Sequence, residues 1–165
     1  MSQTKISETV QFPAYLKSDK VNILTYNTGL LYQVSREDGS TGTVSESFGP
    51  PSDALPVIDG DFMFFGYQKG GLGAIDLKSG SLAFSDNLDG KLILTAFTAC
   101  SGKAPPDYEK FQFLYFGTSD EVVKYDVIGR EIVWTKKTKS IPSLGAPVVD
   151  NWQQVLIRYV TVYKT

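Results

Sequence analysis

The stretch FMFFGYQKGGLGAIDLKSGSLAF, residues 62–84, decides how the chain is read. It holds an apolar run ending in Gly66, a glycine-rich turn, an alternating run ending at Asp76, a corner at Gly80 and a short close at Phe84. Its centre, GGLGAIDLKSG (70–80), has the glycine density of a phosphate-binding loop. A dinucleotide fingerprint, however, needs G-x-G-x-x-G between a strand and a helix. Here Gly71-x-Gly73 is followed by Ala74-Ile75-Asp76, without the third glycine, and a further strand pattern comes next. No Walker pattern is present either. The stretch reads as a strand and its corner: Asp76 and Ser79 can bond nearby backbone, and Gly80 tolerates positive φ.

The same order of features occurs twice more. FPAYLKSDKVNILTYNTGLLYQVSREDGSTGTV begins at Phe12, and FQFLYFGTSDEVVKYDVIGREIVW begins at Phe111. Each has an apolar strand, a short polar turn, an alternating strand ending near Val34 or Tyr125-Asp126, a corner glycine (Gly39, Gly129) and a closing strand with Val44 or Trp134. Pro13, Pro56 and Pro147 open units at a period in the low forties, with Ala99 at the remaining opener and extra residues in the polar loop CSGKAPPDYEK (100–110). Apolar runs are short and bounded by turn residues, with no convincing helix. Strands are expected at VNILTY (21–26), LLYQV (30–34), DFMFFGY (61–67), KLILTAF (91–97), FQFLYFG (111–117), EVVKYDV (121–127), EIVW (131–134) and QVLIRYVTVY (154–163).

Four strands per period of this length is the sequence signature of a propeller blade. The expected fold is therefore all-β: a single β-propeller domain over 1–165 with about four blades of four antiparallel strands. The blades span approximately 12–54, 55–98, 99–145 and 146–165. The last has room for only three strands, and ISETVQF (6–12) is a candidate to complete it. Two closures are open, a four-bladed ring or half of an eight-bladed ring made by two chains.

The residues 62–84 and 113–134 resemble the PQQ-like, quinoprotein-type propeller repeat: an apolar strand ending in Gly, a strand ending in Ala-x-Asp, then x-x-Gly and an aromatic close. The first blade departs from it, with Ser35 in place of the Asp and Val44 in place of the aromatic. The resemblance covers about residues 12–165. It implies a propeller but carries over no cofactor residues, because quinoproteins of this type resemble eight-bladed rings with an adjacent cysteine pair and a calcium site, whereas this chain has one cysteine. The resemblance thus implies a scaffold or binding module without cofactor.

Composition narrows the chemistry. The 165 residues are 42% hydrophobic and 21% charged, ordinary for a domain that buries roughly 70% of its unfolded surface. There is no histidine, so Ser-His-Asp and Cys-His catalysis and His-based metal sites are excluded within the chain. Cys100 alone cannot form an internal disulfide. The formal net charge of −2 gives no general pull toward nucleic acid or anionic membrane. No apolar segment is long enough for a signal peptide or a membrane span. A cytoplasmic or virion-associated protein is expected.

Asp76 and Asp126 occupy equivalent blade positions and are expected to stabilise turns rather than act as a catalytic pair. Lys136, Lys137 and Lys139 read as a solvated loop. The loop 100–110 departs most from the repeat, and such loops often carry function. Pro105, Pro106, Asp107 and Tyr108, with Trp152 at a turn, are the candidate partner-binding residues. Phe48-Gly49-Pro50-Pro51 is a second, weaker loop. Phe84 and Trp134 are expected to pack between blades. The leading expectation is a non-enzymatic interaction or assembly module, a structural subunit of a larger complex such as a virion, with other protein subunits as partners and self-association open. No catalytic, cofactor-binding or metal-ligating residue is assigned. The alternative is a glycan-binding propeller, for which Tyr26 and Tyr67 are equivalent but the third blade offers Gly117.

Overall fold

A computed structural model describes residues 6–101, 111–138, 145–149 and 155–156. Three four-stranded antiparallel meanders follow one another among these residues. The first sheet contains β1 (Tyr15–Lys17), β2 (Lys20–Leu24), β3 (Leu31–Ser35) and β4 (Thr41–Val44). The second contains β5 (Val57–Asp59), β6 (Phe62–Gly66), β7 (Leu72–Asp76) and β8 (Ser81–Asp86). The third contains β9 (Thr98–Ser101), β10 (Phe111–Gly117), β11 (Glu121–Asp126) and β12 (Glu131–Lys137). A two-stranded pair, β13 (Val148–Val149) and β14 (Val155–Leu156), begins the fourth unit. Pro13, Pro56 and Pro147 stand at or just before the start of the first strand of a unit, and Ala99 lies in β9, as the repeat requires. The first strands of successive units are neighbours, β5 beside β9 and β9 beside β13.

Alternation along each strand decides which sheet a side chain meets. In β6, Met63 and Phe65 join Leu24, Leu31 and Phe12 in a core between the first and second sheets. Phe64 points the other way and joins Leu114, Phe116, Val123 and Tyr125 between the second and third. β6 is apolar on both faces because its blade is sandwiched between two others. Full burial of each such aromatic contributes roughly 1.5–3 kcal/mol, so blades stack face to face rather than stand alone.

The corners repeat atom for atom. Asp76 Oδ1 accepts from the backbone N–H of Lys78 (2.8 Å) and Ser79 (3.4 Å). Asp126 Oδ1 accepts from Ile128 (2.9 Å) and Gly129 (3.0 Å). Ser35, which departs from the family pattern, does the same work: its Oγ accepts from Glu37 and Asp38. The outermost strand of each blade also carries a register shift at one equivalent place, after Gln33, Ala74 and Lys124 on the third strand.

The structure corrects four details of the sequence reading. Lys136 and Lys137, read as loop, are the end of β12 and pair with Val122 and Glu121, while Lys139 lies outside the described residues. KLILTAF (91–97) is not a strand. Ile93, Thr95 and Phe97 are buried with a period of two, but the segment caps β10 instead of pairing along it: Leu94 and Thr95 N–H both donate to Gly117 O, and Gly117 N–H donates to Thr95 Oγ1. The left-handed corner of the third blade is Arg130 (φ 55°), not Gly129, matching Gly39 and Gly80 (both φ 72°). Register places Thr43, not Val44, at the position of Phe84 and Trp134, since these three pair with Gln33, Ala74 and Lys124.

Candidate functional site

The candidate partner residues Pro105, Pro106, Asp107, Tyr108 and Trp152 lie outside the described residues, as does most of 154–163. What the described residues offer is two blade interfaces, the outer face of the first blade, the far face of the third and the rims between them.

The interface of the second and third blades is closed. Phe84 tilts against Phe64 and carries the Arg130 guanidinium 5.1 Å above its ring, so it packs between blades as expected. Arg130 reaches back from the left-handed corner to Asp86, with Nε donating to Oδ1 at 3.1 Å and Nη2 to the same oxygen. The Tyr125 hydroxyl donates to Asp86 Oδ2. Burial alone would push the Asp86 carboxyl up; the bonds from Arg130 and Tyr125 outweigh it and hold the group below the usual carboxylate range. Burial, and then the bond to Asp86, push the Tyr125 phenol well up. This triad has no local sequence signature, because its members come from separate blades and include a corner residue whose φ disfavours a side chain.

The interface of the first and second blades is built differently at one end. Lys20, Asn22 and Gln33 occupy the positions held by Phe62, Phe64 and Ala74 in the second blade. Asn22 and Gln33 are 1% and 2% exposed. Gln33 Nε2 donates to Asn22 Oδ1 (2.9 Å) and across the interface to Leu77 O (2.7 Å), and Lys20 Nζ donates to Gln33 Oε1 (3.4 Å). Asn22 Nδ2 donates to Tyr15 O at 3.3 Å. A cleft of about 150 Å³ opens above this floor, lined by Lys17, Asp61 and Lys78 among others. Asp61 pairs with Lys78 at 2.5 Å and Lys17 at 4.0 Å. The Lys78 bond holds the Asp61 carboxyl below its ordinary value, and Asp61 in turn raises the Lys78 ammonium.

On the opposite rim, Phe48, Gly49 and Pro50 sit against Tyr67 and Leu82 around a shallow pocket of about 400 Å³. Pro51 makes a bridge with Tyr67. The Tyr67 ring stands edge-on to Phe65 at 4.8 Å, and the Tyr26 hydroxyl donates to Asp53 at 2.7 Å. Both rings are committed to local packing or bonding.

The outer face of the first blade carries Leu16, Val21, Ile23, Tyr32, Val34 and Val44, aligned by register. Leu16 is 58% and Val44 47% exposed, whereas Tyr32 and Val34 on the same face are buried. Residues 6–12 are irregular and bond the β2–β3 turn of the same blade: Tyr26 N–H donates to Thr9 O, Thr28 Oγ1 to Glu8, and Phe12 is buried against Tyr26. On the far face of the third blade, Phe113, Tyr115, Lys124 and Trp134 share one side. Lys124 Nζ lies 3.9 Å from the Phe113 centroid, and Trp134 tilts on Tyr115 while 36% exposed. Trp134 packs on Tyr115 of its own blade, at the register position that Phe84 holds in the second; most of the fourth unit, which it would meet, lies outside the described residues.

No protein-family model matches the chain, and no curated protein matches it. Solved structures do. BamB from Moraxella catarrhalis matches with a TM-score of 0.62 at 18% identity, over 87% of this chain and 41% of that one. Hydrazine synthase of Kuenenia stuttgartiensis matches at 0.62 and 13%, over 87% and 40%. BBS1N, solved in complex with ARL6DN, matches at 0.59 and 17%, over 79% and 36%. The chain spans about two-fifths of the length of these neighbours, which are β-propellers. At such identities the likeness is one of fold: the chain is built as a stretch of β-propeller.

Proposed function

We propose that this chain is a non-enzymatic β-propeller module of the PQQ-like repeat type, which works by holding other protein subunits within a larger complex. A structural subunit, in the cytoplasm or in a virion, is the role we assign. The observation that carries the reading is the exposure of two apolar side chains at the margins of the first blade's outer face. Leu16 and Val44 stand in solvent on a sheet whose fold type covers both faces of every blade. Exposed apolar sheet faces mark interaction surfaces. Protein association is also what the BBS1N neighbour displays, with ARL6DN bound. The chain contributes no histidine and one cysteine to any chemistry.

The test is a pair of substitutions, Leu16→Glu and Val44→Glu, followed by sedimentation velocity. Both side chains are exposed, so the urea midpoint should hold while association with partner or self is lost. An unchanged distribution of sedimenting species would remove the open face from the account.

A further inference from the structure

The floor of the cleft between the first and second blades is polar where the next interface is aromatic. At register positions that hold Phe62, Phe64 and Ala74 in the second blade, the first has Lys20, Asn22 and Gln33. The missing aromatic volume leaves the cleft of about 150 Å³, enough for a small solute. Burying two amides there is costly unless they are bonded, and they are bonded into a fixed platform by Leu77 O, Tyr15 O and each other.

The balance of charge indicates a ligand. Three ammonium groups, Lys17, Lys20 and Lys78, line the cleft, each with three N–H donors. The acceptors they meet are Asp61, for Lys17 and Lys78, and Gln33 Oε1, for Lys20. Asp19 also lines the cleft, which makes three cations against two carboxylates. The formal charge of the lining is positive in a net acidic chain, the cations project from separate turns around one floor, and no aromatic platform lines the walls. Such a site selects a small, acceptor-rich anion over a neutral sugar or an apolar group.

We propose that this cleft binds a small oxyanion, a carboxylate or phosphate group, which takes charge-assisted bonds from Lys20 and Lys78 above the Asn22–Gln33 platform. The size admits a free metabolite or a terminal anionic group, and the chemistry is common to both.

The experiment titrates the full, isotope-labelled chain with inorganic phosphate and separately with succinate, at ionic strength held constant with chloride. The side-chain amide resonances of Asn22 and Gln33 are followed. Saturable shifts with a Kd of about 1 mM or tighter are expected for at least one probe. Response to phosphate alone, succinate alone or both assigns the ligand as phosphate, carboxylate or either. Lys78→Met, at a side chain 75% exposed and therefore safe for folding, should weaken binding by about tenfold, the loss expected for one charge-assisted hydrogen bond. Lys20→Met with Lys78→Met should abolish it. Non-saturating shifts for both probes, or an affinity that the lysine substitutions leave intact, would overturn the proposal.

Discussion

Gln33→Met tests whether the first two blades are held by a buried polar bond rather than by apolar contact alone. The replacement keeps the length and volume of the side chain, so little cavity is expected. It removes the donors that satisfy Leu77 O at 2.7 Å and Asn22 Oδ1 at 2.9 Å. Each buried acceptor left without a partner costs about 1–3 kcal/mol. Water from the cleft can reach the Leu77 side, which lines it, so the expected cost is about 2–4 kcal/mol rather than the sum of two full penalties. That is a large share of the 5–15 kcal/mol typical of a domain. Urea unfolding, with the slope m checked for constancy, reads it directly. The double variant Asn22→Leu with Gln33→Met should recover about 1 kcal/mol relative to additivity, because the orphaned amide oxygen is then absent. A cost below about 0.5 kcal/mol for Gln33→Met, or strict additivity of the pair, would refute the reasoning.

Further outcomes follow from the corners, the triad and one glycine. Asp76→Ala and Asp126→Ala should each cost about 1 kcal/mol in urea by removing two backbone bonds, while Ser35→Asp at the equivalent corner should be near neutral or stabilising. The Asp86 carboxyl is held below its unfolded value, so its contribution is complete above the ordinary carboxylate range and is lost as pH falls through the folded value. Tyr125→Phe should therefore move the Asp86 titration upward in an NMR pH series and shift acid unfolding to higher pH; an unmoved Asp86 would show the hydroxyl bond to be idle. Gly66→Ala should destabilise by about 1–3 kcal/mol in thermal unfolding, since a Cβ there would lie 2.6 Å from Ser52 Oγ and 3.0 Å from Ile93 Cβ.

The blade plan was legible because its signals are local. Proline openers, Asp or Ser corners and apolar runs of strand length repeat in register, and each does in space what its chemistry suggests. Even the departure at Ser35 was only a change of oxygen. What stayed illegible depends on neighbours. KLILTAF has the alternation of a strand, yet two of its N–H groups, of Leu94 and Thr95, are taken by the single carbonyl of Gly117, a partner distant in sequence. Arg130 carries positive φ beside a glycine that sequence reasoning preferred, and its bond to Asp86 ties two blades. The cleft could have been found by aligning blades column by column, where Asn22 and Gln33 fall against Phe64 and Ala74. Read as one strand, VNILTY shows merely Asn22 and Thr25 as polar interruptions in an apolar run.

The central claim is that the chain is an assembly module whose open blade faces are made to be covered. Molar mass by light scattering on the purified protein, across a concentration series, tests it most directly. The account predicts a mass above the 18.2 kDa of one chain, either a discrete dimer, as two chains completing one ring would give, or a mass that grows with concentration. A constant monomer mass at every concentration, unchanged by Leu16→Glu or Val44→Glu, would contradict it.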